Sequence, residues 1–105
     1  MATSKNEIIK DIKRYVAELN KHGIVVQKVY LFGSWARGGT REDSDIDVAL
    51  ISNSFSGDRF YDRRRIVPFR RKINIDIEPI PFNPETFLTG GNLVEEIKCH
   101  GEEIN

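Results

Sequence analysis

Asp45 and Asp47 stand one residue apart at the head of an apolar run that continues to Ile51. On a strand, positions i and i+2 point to the same face, about 6.5–7 Å apart along the chain. On a helix they would diverge by about 200°. The pair therefore makes sense only on a strand, with Ile46, Val48 and Leu50 turned to the core. A third acid, Asp76, lies among the alternating residues Ile73, Ile75 and Ile77, on the face opposite them; Glu78 shares that face and is a second candidate for the third place. If the two strands are neighbours, three carboxylates converge. Such a cluster is costly unless something positive neutralises it. Magnesium suits it, because it takes hard oxygen ligands and shares them between carboxylates and substrate phosphates. Alone, an Asp-x-Asp is common, and reads first as a turn cap at Asp45 after Ser44 with a solvated Asp47.

Gly33 and Ser34 directly follow a strand-like run and precede a possible helical turn. Free backbone N–H groups at such a turn form a nest for anions, phosphates above all. Gly33 permits close approach because it has no side chain, and Ser34 adds a hydroxyl. Arg37 is placed either to reach phosphates or to pair with an acid such as Asp43. Taken alone, the turn reads as a strand-to-helix connection with a serine cap. The long glycine-rich loop ending in Lys-Ser or Lys-Thr is missing, so that class of nucleotide site is excluded.

The positioning elements follow from periodicity. Ser4 and Glu7 have capping-box spacing, and Ile8, Ile12, Tyr15, Val16 and Leu19 recur at helical intervals, so a helix over about 5–21 is predicted, stopped by Gly23. A strand is expected over 24–32, one helical turn over 35–38 ended by Gly38 and Gly39, and a second strand over 46–51. A basic connection over 58–72 leads to a half-buried strand at 73–78, stopped by Pro79 and Pro81. Asn83 or Pro84 opens a short helix, and 92–100 forms a last one ended by Gly101. The expected fold class is α/β (α+β), a small mixed sheet flanked by helices.

Gly-Ser after a strand, then Asp-x-Asp a dozen residues on, then a distal acid, is far more specific than its parts. Gly33-Ser34, Asp45-Ile46-Asp47 and Asp76 resemble the signature of the nucleotidyltransferase superfamily related to DNA polymerase β. More narrowly, Ala36, Arg37, Gly38 and Ser44 look like the pattern of the minimal nucleotidyltransferases, over about residues 5–100. That resemblance implies one minimal domain over 1–105 binding Mg²⁺, two ions about 4 Å apart, with ATP or another NTP as substrate. It implies that Ser34 and the Gly33 backbone, with Arg37, hold phosphates. Asp45 and Asp47 would carry the metals, and Asp76 would serve as metal ligand or base. A nucleotidyl group, AMP above all, would pass to an acceptor hydroxyl as pyrophosphate leaves. The resemblance also implies a separate helical HEPN protein as partner, as in toxin–antitoxin pairs whose transferase modifies the toxin.

Composition narrows the alternatives. A length of 105 residues with 39% hydrophobic residues suits one domain. Sixteen basic residues against sixteen acidic ones leave no net charge, so bulk charge points to no nucleic-acid partner. Local charge differs: Arg59, Arg63, Arg64, Arg65, Arg70, Arg71 and Lys72 face only Asp62. With Phe60, Tyr61 and Phe69 interleaved, this run reads first as a solvated helix face with its aromatics in the core. It reads second as a surface for an acidic partner, and last as a nucleic-acid track. Pro68 forbids one continuous helix there. Trp35 is expected to pack on the sheet edge or a partner before stacking on a base. His22 and His100 belong to helix ends, and Cys99, the single cysteine, reads as a small apolar residue. One cysteine and no stretch near 18 apolar residues fit a cytoplasmic, non-membrane protein. A homodimer is compatible with so short a chain. The competing function is a non-catalytic transferase-like module that neutralises a partner by contact; the acidic cluster argues for the enzyme, since a binding surface has no use for repelling carboxylates.

Overall fold

A computed structural model describes residues 4–37 and 45–104. Ser4 caps α1 (Lys5–Lys21), its side chain accepting from the Glu7 N–H at 3.2 Å. Ile8, Ile12, Tyr15 and Leu19 form the buried stripe of this helix. Gly23, at φ +88°, then turns the chain. β1 (Lys28–Phe32) is shorter than its apolar run. The N–H groups of Ile24 and Val26 bond back to the Leu19 carbonyl and the Asn20 side chain, which removes them from any ladder. α2 (Ser34–Arg37) is the expected single turn; its predicted glycine stop, Gly38 and Gly39, lies outside the described residues. β2 (Ile46–Ile51) has the predicted bounds.

The basic connection divides at Pro68 into α3 (Arg59–Ile66) and a 3₁₀ segment, Val67–Lys72. Asp62 is buried and ties the preceding loop down, accepting from Ser56 N, Ser56 Oγ and Gly57 N. Contrary to expectation, the aromatics of α3 are outside: Phe60 is 82% exposed, and Tyr61 is exposed beside it. Ile66 alone of the apolar α3 residues is buried, and its carbonyl accepts from the Tyr15 hydroxyl at 2.7 Å.

β3 (Ile77–Phe82) begins later than the alternating isoleucines predict and contains both prolines expected to stop it. Residues 73–76 are no strand, because Asn74 N bonds Arg70 O, Ile77 N bonds Asn74 O, and Asp76 N bonds the Asn74 side chain. Ile75 is accordingly exposed. Pro79 and Pro81 are tolerated for a geometric reason. Ile46 N donates to Asp76 O and Ser52 N to Phe82 O, so the even positions of β3 bond β2. Backbone polar groups alternate sides along a strand, which turns positions 79 and 81 to the open edge, where no N–H is required. α4 (Pro84–Leu88) starts in a capping box between Asn83 and Thr86. α5 (Gly91–His100) ends at Gly101, and β4 (Glu102–Ile104), which no pattern announced in three residues, closes the far edge.

The four strands form one mixed sheet, ordered β3-β2-β1-β4. β1 pairs antiparallel with β2 and β4, whereas β2 and β3 run parallel. One face carries Leu31, Ile46, Val48, Leu50 and Ile77 against α1, Trp35 and Ile66. The other carries Phe32, Ala49, Ile51 and Phe82 against Phe87 of α4 and Val94 and Ile97 of α5. The expected fold class, a small mixed sheet flanked by helices, is the one observed. No helix among the described residues is long and apolar enough to cross a membrane.

Edge prolines block strand addition by another chain. The double variant Pro79→Val/Pro81→Val restores two edge donors and should self-associate with rising concentration in size-exclusion chromatography, where the parent elutes unchanged.

Candidate active site

Strand direction brings three separate stretches to one end of the sheet. β1 ends where β2 begins because they are antiparallel, with Phe32 opposite Asp47. β3 begins at the same end because it is parallel to β2, with Asp47 opposite Glu78. The Gly33-Ser34 turn, the Asp45/Asp47 pair and the acids entering β3 therefore share one neighbourhood. Neighbouring strands lie about 4.8 Å apart.

Gly33 adopts φ +72°, and a Cβ added there would run into the Asp47 carboxylate, with Cγ only 3.2 Å away. The glycine thus serves both the turn and the close approach of Asp47. Ser34 is exposed at the start of α2, whose Ala36 N–H bonds Gly33 O at 3.2 Å. Trp35 is buried in the core rather than set on an edge, which leaves it unable to stack on a base. Arg37 closes α2; its side chain lies outside the described residues, as do Asp43 and Ser44.

Asp45 is exposed one step before β2, and Asp47 is half-buried within it. Burial, followed by the charges of Asp45, Glu78 and Glu96, pushes the Asp47 carboxyl above its ordinary range. Asp76 is exposed just before β3; its carbonyl holds Ile46 N at 2.9 Å. The ladder places Glu78, the second candidate, directly across from Asp47, while Asp76 sits one step outside the strand. Burial works against the Glu78 charge, but hydrogen bonds from Arg63 and Arg70 and their positive charges outweigh it and hold Glu78 below the usual range. Glu96, on α5, was invisible in the sequence: nothing in its local pattern says that α5 folds back over the start of β2.

The donor set is all carboxylate oxygen, with a surplus of negative charge at Asp47, which fits magnesium. Among the described residues no three acidic, histidine or cysteine side chains already converge as a cage. The lesser candidates do not join the site: His22 hydrogen-bonds Glu18 O at the end of α1, and Cys99 is exposed rather than packed.

Residues 9–102 match the family model of the nucleotidyltransferase domain. The chain belongs to that family, and is a transferase of the EC 2.7.7 type. It is 29% identical over 102 residues to a protein of Methanocaldococcus jannaschii provisionally named a protein adenylyltransferase, covering 93% of this chain and 96% of that one. Its fold is similar to the crystal structure of a provisionally assigned nucleotidyltransferase from Sulfolobus solfataricus, with TM-score 0.67 and 23% identity over 94% of this chain and 80% of the other. It is also similar to a toxin–antitoxin structure with AMP-PNP, with TM-score 0.59 and 18% identity over 98% and 73% of the two chains.

Two outcomes test this geometry. Because folding raises the Asp47 pKa, the folded state binds the proton more tightly, so the residue opposes folding by an amount that grows as pH rises from the ordinary carboxylate value and is complete above the raised one. The penalty shrinks as pH falls through the raised value and is gone below the ordinary one. Asp47→Asn should therefore raise the melting temperature of the metal-free protein at pH 7, and the difference should close under acid. Gly33→Ala should lower stability by about 1–3 kcal/mol from left-handed strain alone, read by urea unfolding, with a further loss from the collision at Asp47.

Proposed function

We propose that this chain is a Mg²⁺-dependent adenylyltransferase that moves AMP from ATP to a hydroxyl group of a partner protein. The single observation that carries this reading is the strand register, which sets the Gly33 turn and Glu78 on either side of Asp47, with Asp45 at the strand entrance. The name of the M. jannaschii relative supports protein as acceptor, and the AMP-PNP of the toxin–antitoxin structure supports an adenine nucleotide.

In this reading residues 1–105 act as one minimal transferase domain. Ser34 and the Gly33 backbone, with Arg37, receive the phosphates, and Asp45 and Asp47 hold two magnesium ions. Bound there, the metal neutralises the phosphates and stabilises the departing oxygen. Asp76 supplies the third carboxylate, as metal ligand or base, and Glu78, whose charged form Arg63 and Arg70 favour, is the second candidate for that place. The acceptor oxygen bonds to the α-phosphorus, the bond from that phosphorus to the bridging oxygen of the β-phosphate breaks, and pyrophosphate leaves; the hydroxyl proton passes to a carboxylate or water. The partner is a helical HEPN-type toxin, this chain is its antitoxin, and both work in the cytoplasm. Nucleic acid is the less favoured acceptor, because the chain carries no net charge and Arg59, Arg63, Arg65 and Arg70 of its basic run have partners within the chain.

Incubation with ATP labelled at the α-phosphate, Mg²⁺ and the protein encoded beside this chain should label that protein. Asp47→Asn should abolish labelling, Asp76→Asn should lower it by about 100-fold, and Glu78→Gln by less than about 10-fold. Absence of label on the protein, with Asp47→Asn still neutralising it, would instead establish action by contact.

A further inference from the structure

Asp76 stands one step outside the ladder between β2 and β3, so strand register alone does not hold it. Its two backbone polar groups are held separately. The carbonyl accepts from Ile46 N at 2.9 Å, and Ile46 lies between Asp45 and Asp47. The N–H donates to Asn74 Oδ1, also at 2.9 Å. That second bond closes an Asx turn, in which a side chain takes the N–H two residues on.

Asn74 engages every polar group it has. Its N–H donates to Arg70 O at 2.9 Å, and its carbonyl accepts from Ile77 N at 3.2 Å. Its Nδ2 donates to Asp11 Oδ2 of α1 at 3.1 Å. The two ends of the amide cannot be exchanged, because an N–H only donates and a carboxylate only accepts. Aspartate at this position would lack the donor, and serine would lack the second group. An Asx turn forms without any tie to a helix. The bond to Asp11 does something further: it fastens the turn to the helix that covers the first face of the sheet. Asp76 is thus braced from α1 on one side and from β2 on the other.

We propose that Asn74, braced by Asp11, is a positioning residue of the transferase site, holding Asp76 beside the entrance of β2 where Asp45 and Asp47 stand. This rests on the assignment of Asp76 as the third carboxylate. Neither Asn74 nor Asp11 touches the reacting atoms; both act through Asp76.

The test pairs labelling of the neighbouring protein from α-labelled ATP with amide hydrogen exchange of the metal-free chain. Asn74→Ala should lower turnover by about 10–100-fold, as a small misplacement of a reacting group does. The ATP concentration that half-saturates should hold, because the Gly33 turn, Asp45 and Asp47 are untouched. The amides of Ile46 and Asp76 should exchange faster, while Val48 and Leu50 keep their protection. Asp11→Ala should show both effects more weakly. Asp11→Asn, which keeps an acceptor for Nδ2, should show little of either. The double variant Asn74→Ala/Asp76→Asn should label no more weakly than Asp76→Asn alone, because both changes remove one path. Melting curves show which variants are folded at the assay temperature; Asn74→Ser, which keeps an acceptor for the Asp76 N–H, replaces Asn74→Ala if that variant is not. A further loss in the double variant, or a loss that falls on half-saturation by ATP, would mean that Asn74 acts other than through Asp76, and would overturn the inference. So would faster exchange at Ile46 and Asp76 with labelling unchanged, which would leave Asn74 a residue of the fold alone. If Asp76→Asn labels normally while Asp47→Asn does not, Asp76 leaves the site and the inference goes with it, whereas the transferase reading stands.

Discussion

Like charge gathered at one end of two parallel strands is the constraint on which the rest depends. Parallel pairing makes β2 and β3 start at the same end, so acids near both starts cannot avoid one another. Antiparallel pairing would have sent the β3 acids to the opposite end. β1, which is antiparallel to β2, delivers its C-terminal turn to that same end. The repulsion appears in the raised proton affinity of Asp47, to which Asp45, Glu78 and Glu96 all contribute after burial itself. A site that disfavours its own charge is poised to accept cations, and the nearby turn can accept the phosphates that accompany them.

The compensation is distributed unequally. Glu78 is matched by two arginines and held ionised, whereas the Asp47 charge is opposed by its surroundings. This asymmetry separates two facing carboxylates on adjacent strands: the charge of one is matched by the protein, and the charge of the other is not. The arginines arrive from the connection between β2 and β3, which must cross over a face of the sheet because the two strands are parallel. The connection therefore does three things. It covers the first face through Ile66, closes the loop at Asp62, and reaches the end of the sheet where the acids lie.

Much of this was legible in the residues. The first helix follows from its cap and its stripe of apolar residues, and β2 from a run with one acid pair on a single face. Both depend on local periodicity, which survives folding unchanged. β3 was misplaced by a local pattern too: Ile73, Ile75 and Ile77 alternate as strand residues do, yet a turn around Asn74 takes their backbone donors. Its prolines looked like stops because their permission depends on which side of the strand faces a neighbour. Phe60 and Tyr61 looked like core residues because aromatics usually are, but the helix that bears them sets Arg63, Arg65 and Arg59 against Glu78, Ser54 and Phe82 and leaves both aromatics outside.

By itself the sequence determined the chemistry available: a glycine–serine turn, an acid pair confined to one strand face, and at least one distal acid, all within a mixed α/β chain. Those follow from residue type and from separations of a few positions, where geometry is set by the backbone alone. Only the tertiary structure decided which distal acid faces Asp47, that the charge of Glu96 bears on Asp47, and that Arg63 and Arg70 converge on Glu78. Each of those facts depends on register and on packing between elements far apart in the chain. A shift of one residue in the β2–β3 ladder would change the facing pair while leaving every local pattern intact.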